Sequence, residues 1–209
     1  MIITAKKGKG NKIHISVDGV YMLTVSDDFW FSGSYRSGDE ISETELNDFK
    51  TKANESRAFN KALDLMSRRD HSQKELENKL ARSAGREPAK AAVQRVADLG
   101  IVNDETYANK LADELFRRKG FSPSRIRMEL IQRGVSSEIA DNASESIDFE
   151  PQERIIELLK NRFLRQLSDE KGKVRVFNAL VRLGYSFSDI RSAMRALDIE
   201  IESCQPGSH

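Results

Sequence analysis

The residue types best suited to binding phosphates or an acidic protein surface are concentrated in residues 111–134. Six cations fall in this stretch, while Glu129 is the single acid between positions 117 and 133. Arginine and lysine donate hydrogen bonds to phosphates and carboxylates, and several together create a field that attracts an anionic partner. The predicted contact residues are Arg117, Arg118, Lys119, Arg125, Arg127 and Arg133.

A smaller basic set lies fifty positions earlier and is predicted to contribute to binding as well. It comprises Arg68, Arg69 and Lys74. Cations in the last turn of a helix are also ordinary partners of the helix dipole. A purely structural explanation of both basic sets therefore stays open beside the binding one.

The residues that usually carry catalysis are few and scattered. Gly8 and Gly10 precede a predicted hairpin rather than a helix, so they do not form a phosphate loop. The acids are interspersed with lysine and arginine, as on solvated helix faces. Metal-ligand spacing is lacking among the candidate ligands His14, His71, His209 and Cys204. We therefore predict a protein that is not an enzyme and that has no cofactor and no metal.

The basic stretch itself is predicted to form two helices joined by a tight corner. Gly120 can adopt the left-handed conformation that ends the first helix. Ser122 then supplies an N-cap oxygen, and Pro123 suits the first position of the second helix. Ile126 and Leu130, four positions apart, form the buried stripe of that helix. The corner therefore has cations on both sides.

This pattern recurs with a period of about 50 residues, which indicates a repeat protein. Each unit contains about three helices, which are too few to bury an apolar face alone, so neighbouring units must stack. The matching apolar positions are Leu76, Ile126 and Val176, followed by Leu80, Leu130 and Leu180. The matching cap and glycine positions are Ser72 with Ser122 and Gly134 with Gly184.

Residues 2–25 are predicted to form strands, because apolar residues alternate around an Asp18-Gly19 turn signal. So small a sheet needs cover from other residues. We interpret Trp30 as core or lid, because no cation interleaves between positions 20 and 33 as a base-stacking surface would require. The residues predicted to cover the sheet are Phe29, Trp30, Phe31 and Tyr35.

The helical units are delimited by capping signals. Ser42 with Glu45 forms a capping box, Pro88 is predicted to begin the third helix of the first unit, and Pro151 precedes the last unit. The predicted divisions are a small β segment at 1–40, helical repeats at 41–102, 103–150 and 151–202, and a disordered tail at 203–209. The fold class is therefore mainly α with a small N-terminal β-hairpin or meander.

The composition limits location and partners. The net charge of +1 gives no argument for nucleic acid by itself. A single cysteine suits a reducing compartment, and no apolar run approaches the roughly 20 residues of a membrane span. The first residues have no apolar core of the kind that secretory signals contain. We expect a cytoplasmic monomer.

Four runs of sequence closely resemble the RecX family of bacterial regulators. They are SRRDHSQKELENKL at residues 67–80, RVADLGIVNDETYANKLADE at 95–114, RRKGFSPSRIRMELIQRGV at 117–135 and ALVRLGYSFSDIRSAM at 179–194. The resemblance covers about residues 55–200, with the motifs in family order. It implies three tandem three-helix repeats that form a curved, elongated body. The first repeat departs modestly at Gly85-Arg86-Glu87-Pro88, where a tighter turn is common.

The resemblance also implies a function, which neither composition nor spacing indicates. Proteins similar to this one bind the RecA–DNA filament and restrain the RecA recombinase, its ATP hydrolysis and its co-protease activity in the SOS response. The implied partner is therefore the RecA filament, with weak contact to single- or double-stranded DNA.

Two other functions are compatible with the residues. A helix-turn-helix-like DNA-binding protein would use the same corner, although the second helix shows no set of side chains arranged for base edges. A passive helical scaffold would have no effect on RecA at all.

Overall fold

Residues 1–199 are described in the computed structural model, and the predicted tail at 203–209 lies outside them. The chain separates into two compact units, one spanning Met1–Asn103 and one that begins at Asp104. The protein is mainly helical with a small N-terminal antiparallel sheet, which confirms the predicted fold class. The two units are described separately below.

The first unit begins with a three-stranded sheet in the order β1-β2-β3. Its strands are β1 (Ile3–Lys7), β2 (Lys12–Val17) and β3 (Val20–Ser26). Asp18 and Gly19 form the two-residue turn between β2 and β3 with φ values of 47° and 78°. Both positions need positive φ in this turn type, so the predicted hairpin signal is confirmed.

Four helices follow in the first unit. They are α1 (Asp27–Ser32), α2 (Glu43–Met66), α3 (Gln73–Ala84) and α4 (Arg86–Asp98). Ser42 and Glu45 form the predicted capping box at the start of α2. The predicted start of α4 at Pro88 was wrong by two residues, because Gly85, with φ 87° and ψ 168°, already turns the chain into the helix.

The long helix α2 contributes to two cores within the first unit. Leu46, Phe49 and Ala53 pack with the sheet, whereas Ala58 and Ala62 pack with α3 and α4. The predicted boundary at residue 40 therefore falls just before a helix that both parts of the unit use.

The aromatic cover of the sheet centres on Phe49 of α2. Phe29, Trp30 and Tyr35 each approach the Phe49 ring edge-on, at centroid distances of 5.6, 6.2 and 6.0 Å. Trp30 is buried, which confirms its interpretation as core. Phe31 is 69% exposed, so its predicted role as cover was wrong. Neighbouring positions on the short helix α1 face different directions, and only one side of that helix can reach the sheet.

The second unit contains six α-helices and two π-helical turns among its described residues. The helices are α5 (Asp104–Glu114), α6 (Pro123–Gln132), α7 (Ser137–Glu145), α8 (Pro151–Leu158), α9 (Glu170–Arg182) and α10 (Phe187–Arg195). The first π turn is Leu115–Lys119, and the second is Leu159–Phe163, followed by a short 3₁₀ turn at Leu164–Gln166.

The 50-residue period is confirmed by burial. The two apolar positions of the stripe are at most 1% exposed in every repeat, so α3, α6 and α9 present equivalent faces to their cores. These positions are Leu76, Leu80, Ile126, Leu130, Val176 and Leu180. Gly134 and Gly184 end α6 and α9 at positive φ, as their matching positions predicted.

Candidate interaction surface

The corner between α5 and α6 is closed by its own backbone. Gly120 is left-handed, with φ 73° and ψ 27°, and its N–H donates to the Phe116 carbonyl over 3.2 Å. The next N–H, of Phe121, reaches back to the Leu115 carbonyl over 3.2 Å. The predicted glycine stop is therefore confirmed. The last turn before it is a π turn rather than an α turn, and such turns recur at functional positions.

Side chains from the last repeat also donate to two carbonyls at this helix end. Arg154 of α8 donates to the Phe116 carbonyl over 2.6 Å, and Arg162 donates to the Lys119 carbonyl over 3.0 Å. A helix C-terminus has unpaired carbonyls and a negative dipole end, so two guanidinium groups suit it. Arg154 also lies 4.5 Å from the centre of the Phe116 ring. The corner is thus bonded to the repeat that follows it.

A second set of contacts joins the N-cap of α6 to the end of α9. The Ser122 hydroxyl accepts from the Arg125 N–H over 3.3 Å and donates to the Gly184 carbonyl over 2.8 Å. The Ser122 N–H donates to the Leu183 carbonyl over 2.9 Å. The predicted N-cap is therefore confirmed, and it also forms a hydrogen bond between repeats.

Three predicted contact residues lie on the first π turn, and two of them are highly exposed. The Arg117 and Arg118 side chains are 76% and 78% exposed, and Lys119 is exposed as well. Arg117 pairs with Asp113 over 2.6 Å, and Arg118 approaches Glu114 over 3.6 Å. Exposed pairs of this kind contribute about 0–1 kcal/mol, so a partner can replace them at little cost.

The predicted residues on α6 are more firmly held. Arg125 pairs with Glu129 over 2.7 Å and lies 5.6 Å from the centre of the Phe121 ring. Arg127 pairs with Asp141 of α7, whose hydrogen bond and charge raise the pKa of the guanidinium. Arg133 is exposed at the C-cap of α6.

The predicted residues of the first repeat also have acidic partners. Arg68 pairs with Asp64 over 3.0 Å, and Lys74 with Glu77 over 3.2 Å. Arg69 pairs with Glu75. Burial raises the pKa of Glu75, but hydrogen bonds from Arg69 and His71 outweigh it, so the net shift is downward.

Sequence reasoning placed the cations but missed the residues that hold them. Of the acids that pair with them, Asp113, Glu114 and Asp141 lie outside the stretch in which Glu129 appeared alone. Arg154 and Arg162 were also missed, because no local pattern marks a guanidinium that reaches a carbonyl about forty residues away. The sequence showed only that both arginines belong to helices of the last repeat, which does not indicate the carbonyls that they reach.

Within residues 1–199, no group of three or more metal-ligating side chains could hold an ion. An open groove of about 500 Å³ lies between β3 and α2, and the side chains that line it include no histidine, cysteine or carboxylate. No helix in this part of the chain is long and apolar enough to span a bilayer.

Tandem three-helix repeats place this chain in the class of helical repeat proteins. Two family models match this chain, described as "RecX, first three-helix domain" at residues 58–95 and "RecX, second three-helix domain" at residues 103–143. The RecX regulatory protein of Stenotrophomonas maltophilia (strain R551-3) is 32% identical over 148 residues, covering 70% of this chain and 90% of its own. The chain belongs to the RecX family of regulatory proteins.

A longer alignment agrees with this membership, and two solved structures share the fold. The RecX regulatory protein of Bacillus subtilis (strain 168) is 28% identical over 204 residues, which is 95% of this chain and 76% of its own length. A crystal structure titled as regulatory protein RecX superposes with a TM-score of 0.66 at 21% identity, covering 92% of this chain and 97% of that chain. A second, RecX from Lactobacillus salivarius, gives a TM-score of 0.57 at 22% identity, covering 70% of this chain and 98% of that chain. Both crystal structures therefore share the fold of this chain.

Proposed function

We propose that this protein binds the RecA–DNA filament and restrains RecA, lowering its recombinase, ATPase and co-protease activities in DNA repair and the SOS response. It acts in the cytoplasm as a monomer. The proposal draws on family membership, and the observation that carries it at residue level is the basic corner of the second repeat. Arg117 and Arg118 project there from a π turn whose carbonyls are bonded to the last repeat.

The corner suits an anionic partner that is met by diffusion. Several exposed cations in one unit create a field that steers association, and salt weakens that field. Arg117, Arg118, Arg125 and Arg127 already have acidic partners within the chain, so a new contact to any of these four replaces an existing pair. The binding free energy gained per contact is therefore small, and naked DNA should bind weakly.

A role as a direct reader of DNA sequence is less well supported. Arg125 and Arg127 of α6 are engaged by Glu129 and Asp141. Side chains that read bases must present free donors to the edges of the base pairs. This alternative is best treated as an outcome of the test.

The test measures ATP hydrolysis by RecA on single-stranded DNA as this protein is added below one molecule per RecA. The proposal expects hydrolysis to fall well before equimolar protein is reached. Unchanged hydrolysis at equimolar protein would overturn it. Strong, sequence-dependent binding to naked duplex that is lost steeply with salt would instead favour the direct DNA-binding function.

A further inference from the structure

The outward face of α6 has two large apolar side chains in solvent. Met128 is 59% exposed and Ile131 is 37% exposed, while Ile126 and Leu130 of the same helix are fully buried. Residues three apart on a helix share a face, so the two exposed side chains form one surface, here named the Met128/Ile131 patch. Among the described residues, α6 is the only helix with two large hydrophobic side chains exposed to this degree.

The other two repeats do not share this feature. At the register of Met128, the first and third repeats have Asn78 and Asn178, both exposed. At the register of Ile131, the first repeat has Ala81 and the third has Val181, both partly buried against their own cores. The repeat fold therefore accepts a polar residue at the register of Met128, whereas the register of Ile131 is apolar in all three repeats. Two large apolar side chains exposed together are a property of the second repeat.

The surroundings of the patch indicate what kind of partner fits it. Arg125 and Arg127 lie on either side of the outward face of α6, and each is held in place by a carboxylate. Methionine and arginine are enriched in protein–protein interfaces, where an apolar centre is ringed by polar groups. Phosphates gain nothing from an apolar centre, whereas an apolar protein surface with acidic residues around it complements both parts.

We propose that the Met128/Ile131 patch docks against an apolar, acid-rimmed face of a protein partner. Building on the proposed function, that partner is a RecA subunit of the filament, and the DNA in the filament is not the group that the patch contacts. The basic corner and the patch then do different things. The cations steer approach and respond to salt, while the apolar pair supplies contact that salt does not screen.

The experiment exchanges the patch for the residues of the first repeat, as Met128→Asn with Ile131→Ala in the full chain. Both replacements occupy the equivalent helix α3, so the variant should unfold at the parent's temperature. The concentration needed for half-inhibition of RecA ATP hydrolysis on single-stranded DNA should rise about tenfold, as when interface anchors are truncated. The rise should be the same at low and high salt, and binding to naked single-stranded DNA should not change.

The matched control is Leu164→Asn, which removes a side chain that is 65% exposed and lies in the 3₁₀ turn. It should inhibit as the parent does. Three results would overturn this inference while leaving the proposed function in place. The first is a patch variant that inhibits RecA as well as the parent does. The others are a control that loses as much inhibition as the patch variant, or a patch variant that also loses binding to naked DNA. A parent that leaves RecA unaffected overturns the proposed function together with it.

Discussion

The hydroxyl of Tyr185 donates a hydrogen bond to the carbonyl oxygen of Gly120 over 3.1 Å, although 65 residues separate them in the chain. Tyr185 is buried in the core of the last repeat, and Gly120 is the left-handed residue of the basic corner. The bond therefore connects the core of one repeat to the turn that directs the cations of another.

Tyr185→Phe should lower the free energy of unfolding by about 1–3 kcal/mol, because it leaves a buried carbonyl without a donor. Urea unfolding measures this change. The control is Tyr21→Phe, since the Tyr21 hydroxyl bonds to Thr24 at an exposed position where water can replace it. Equal effects in the two variants would contradict the importance of the Tyr185 bond.

The same variant provides a pH test. Burial raises the pKa of Tyr185 to about 12, although the nearby Arg154 charge opposes the shift, whereas the unfolded chain ionises near 10. The contribution of the protonated Tyr185 hydroxyl to the free energy of unfolding is complete below pH 10. It is lost as pH rises towards 12, because the unfolded state releases the proton first. The stability difference between the parent and Tyr185→Phe should therefore shrink across that range.

Gly184→Ala should disrupt the contact between the second and third repeats. At φ 96°, an added Cβ would lie 2.6 Å from the Cβ of Arg125 and would clash with the Ser122 hydroxyl. Gly100→Ala is the control, because Gly100 also has positive φ but its Cβ would meet nothing within 4 Å. The control should cost about 1–2 kcal/mol from backbone strain. Overpacking should add about 1–3 kcal/mol at Gly184. Thermal unfolding of the two variants should therefore show a larger loss of stability for Gly184→Ala than for Gly100→Ala.

The repeat architecture was predictable because its signals are local and periodic. Leu80, Leu130 and Leu180 share one register, and helix caps such as Ser42 and Ser122 act within three residues of themselves. Burial and capping of this kind follow from helical spacing alone.

The connections between elements could not be predicted in the same way. The donation from Arg154 to the Phe116 carbonyl, like that of Tyr185, depends on how two helix pairs stack. The same is true of Asp141, which belongs to the next helix and pairs with Arg127. The cations of the candidate surface were therefore predictable, whereas their pairing and support were not.

Leu130→Ala should lower the free energy of unfolding by about 2–5 kcal/mol, because Leu130 is fully buried in the core of the second repeat. Met128→Ala on the same helix is the matched control. Its side chain is largely in solvent, so its effect should stay within about 0.5 kcal/mol. Chemical denaturation of both variants tests the assignment of the two faces, and a reversed order would show that the faces are misassigned.

Deletion of residues 1–40 should destabilise only the beginning of α2. Leu46, Phe49 and Ala53 would lose the sheet and aromatic side chains that cover them, whereas Ala58 and Ala62 would keep their neighbours in α3 and α4. Hydrogen exchange should show that protection is lost at residues 43–53 and retained in the rest of the first repeat. Loss of helical circular dichroism across the chain would instead make the β segment essential to the whole first unit.

Replacement of three cations at the corner tests the working surface directly. Arg117, Arg118 and Arg125 changed together to alanine should leave folding intact, because all three side chains are exposed. Their acidic partners Asp113 and Glu114 would then lack counter-charges, so the corner would repel an anionic partner at low salt. The concentration needed to inhibit RecA should rise, and the rise should shrink at high salt, where screening removes the effect from both proteins.

The control for this triple variant removes the same charge elsewhere, as Lys6, Lys7 and Lys9 changed together to alanine. These three lysines are exposed in the sheet region of the first unit, and their loss changes the net charge of the protein equally. If both triple variants lose inhibition to the same extent, net charge and not the corner is responsible. If the corner variant folds and inhibits like the parent at low salt, the contact lies elsewhere, and the basic set of the first repeat becomes the next candidate. That set is Arg68, Arg69 and Lys74.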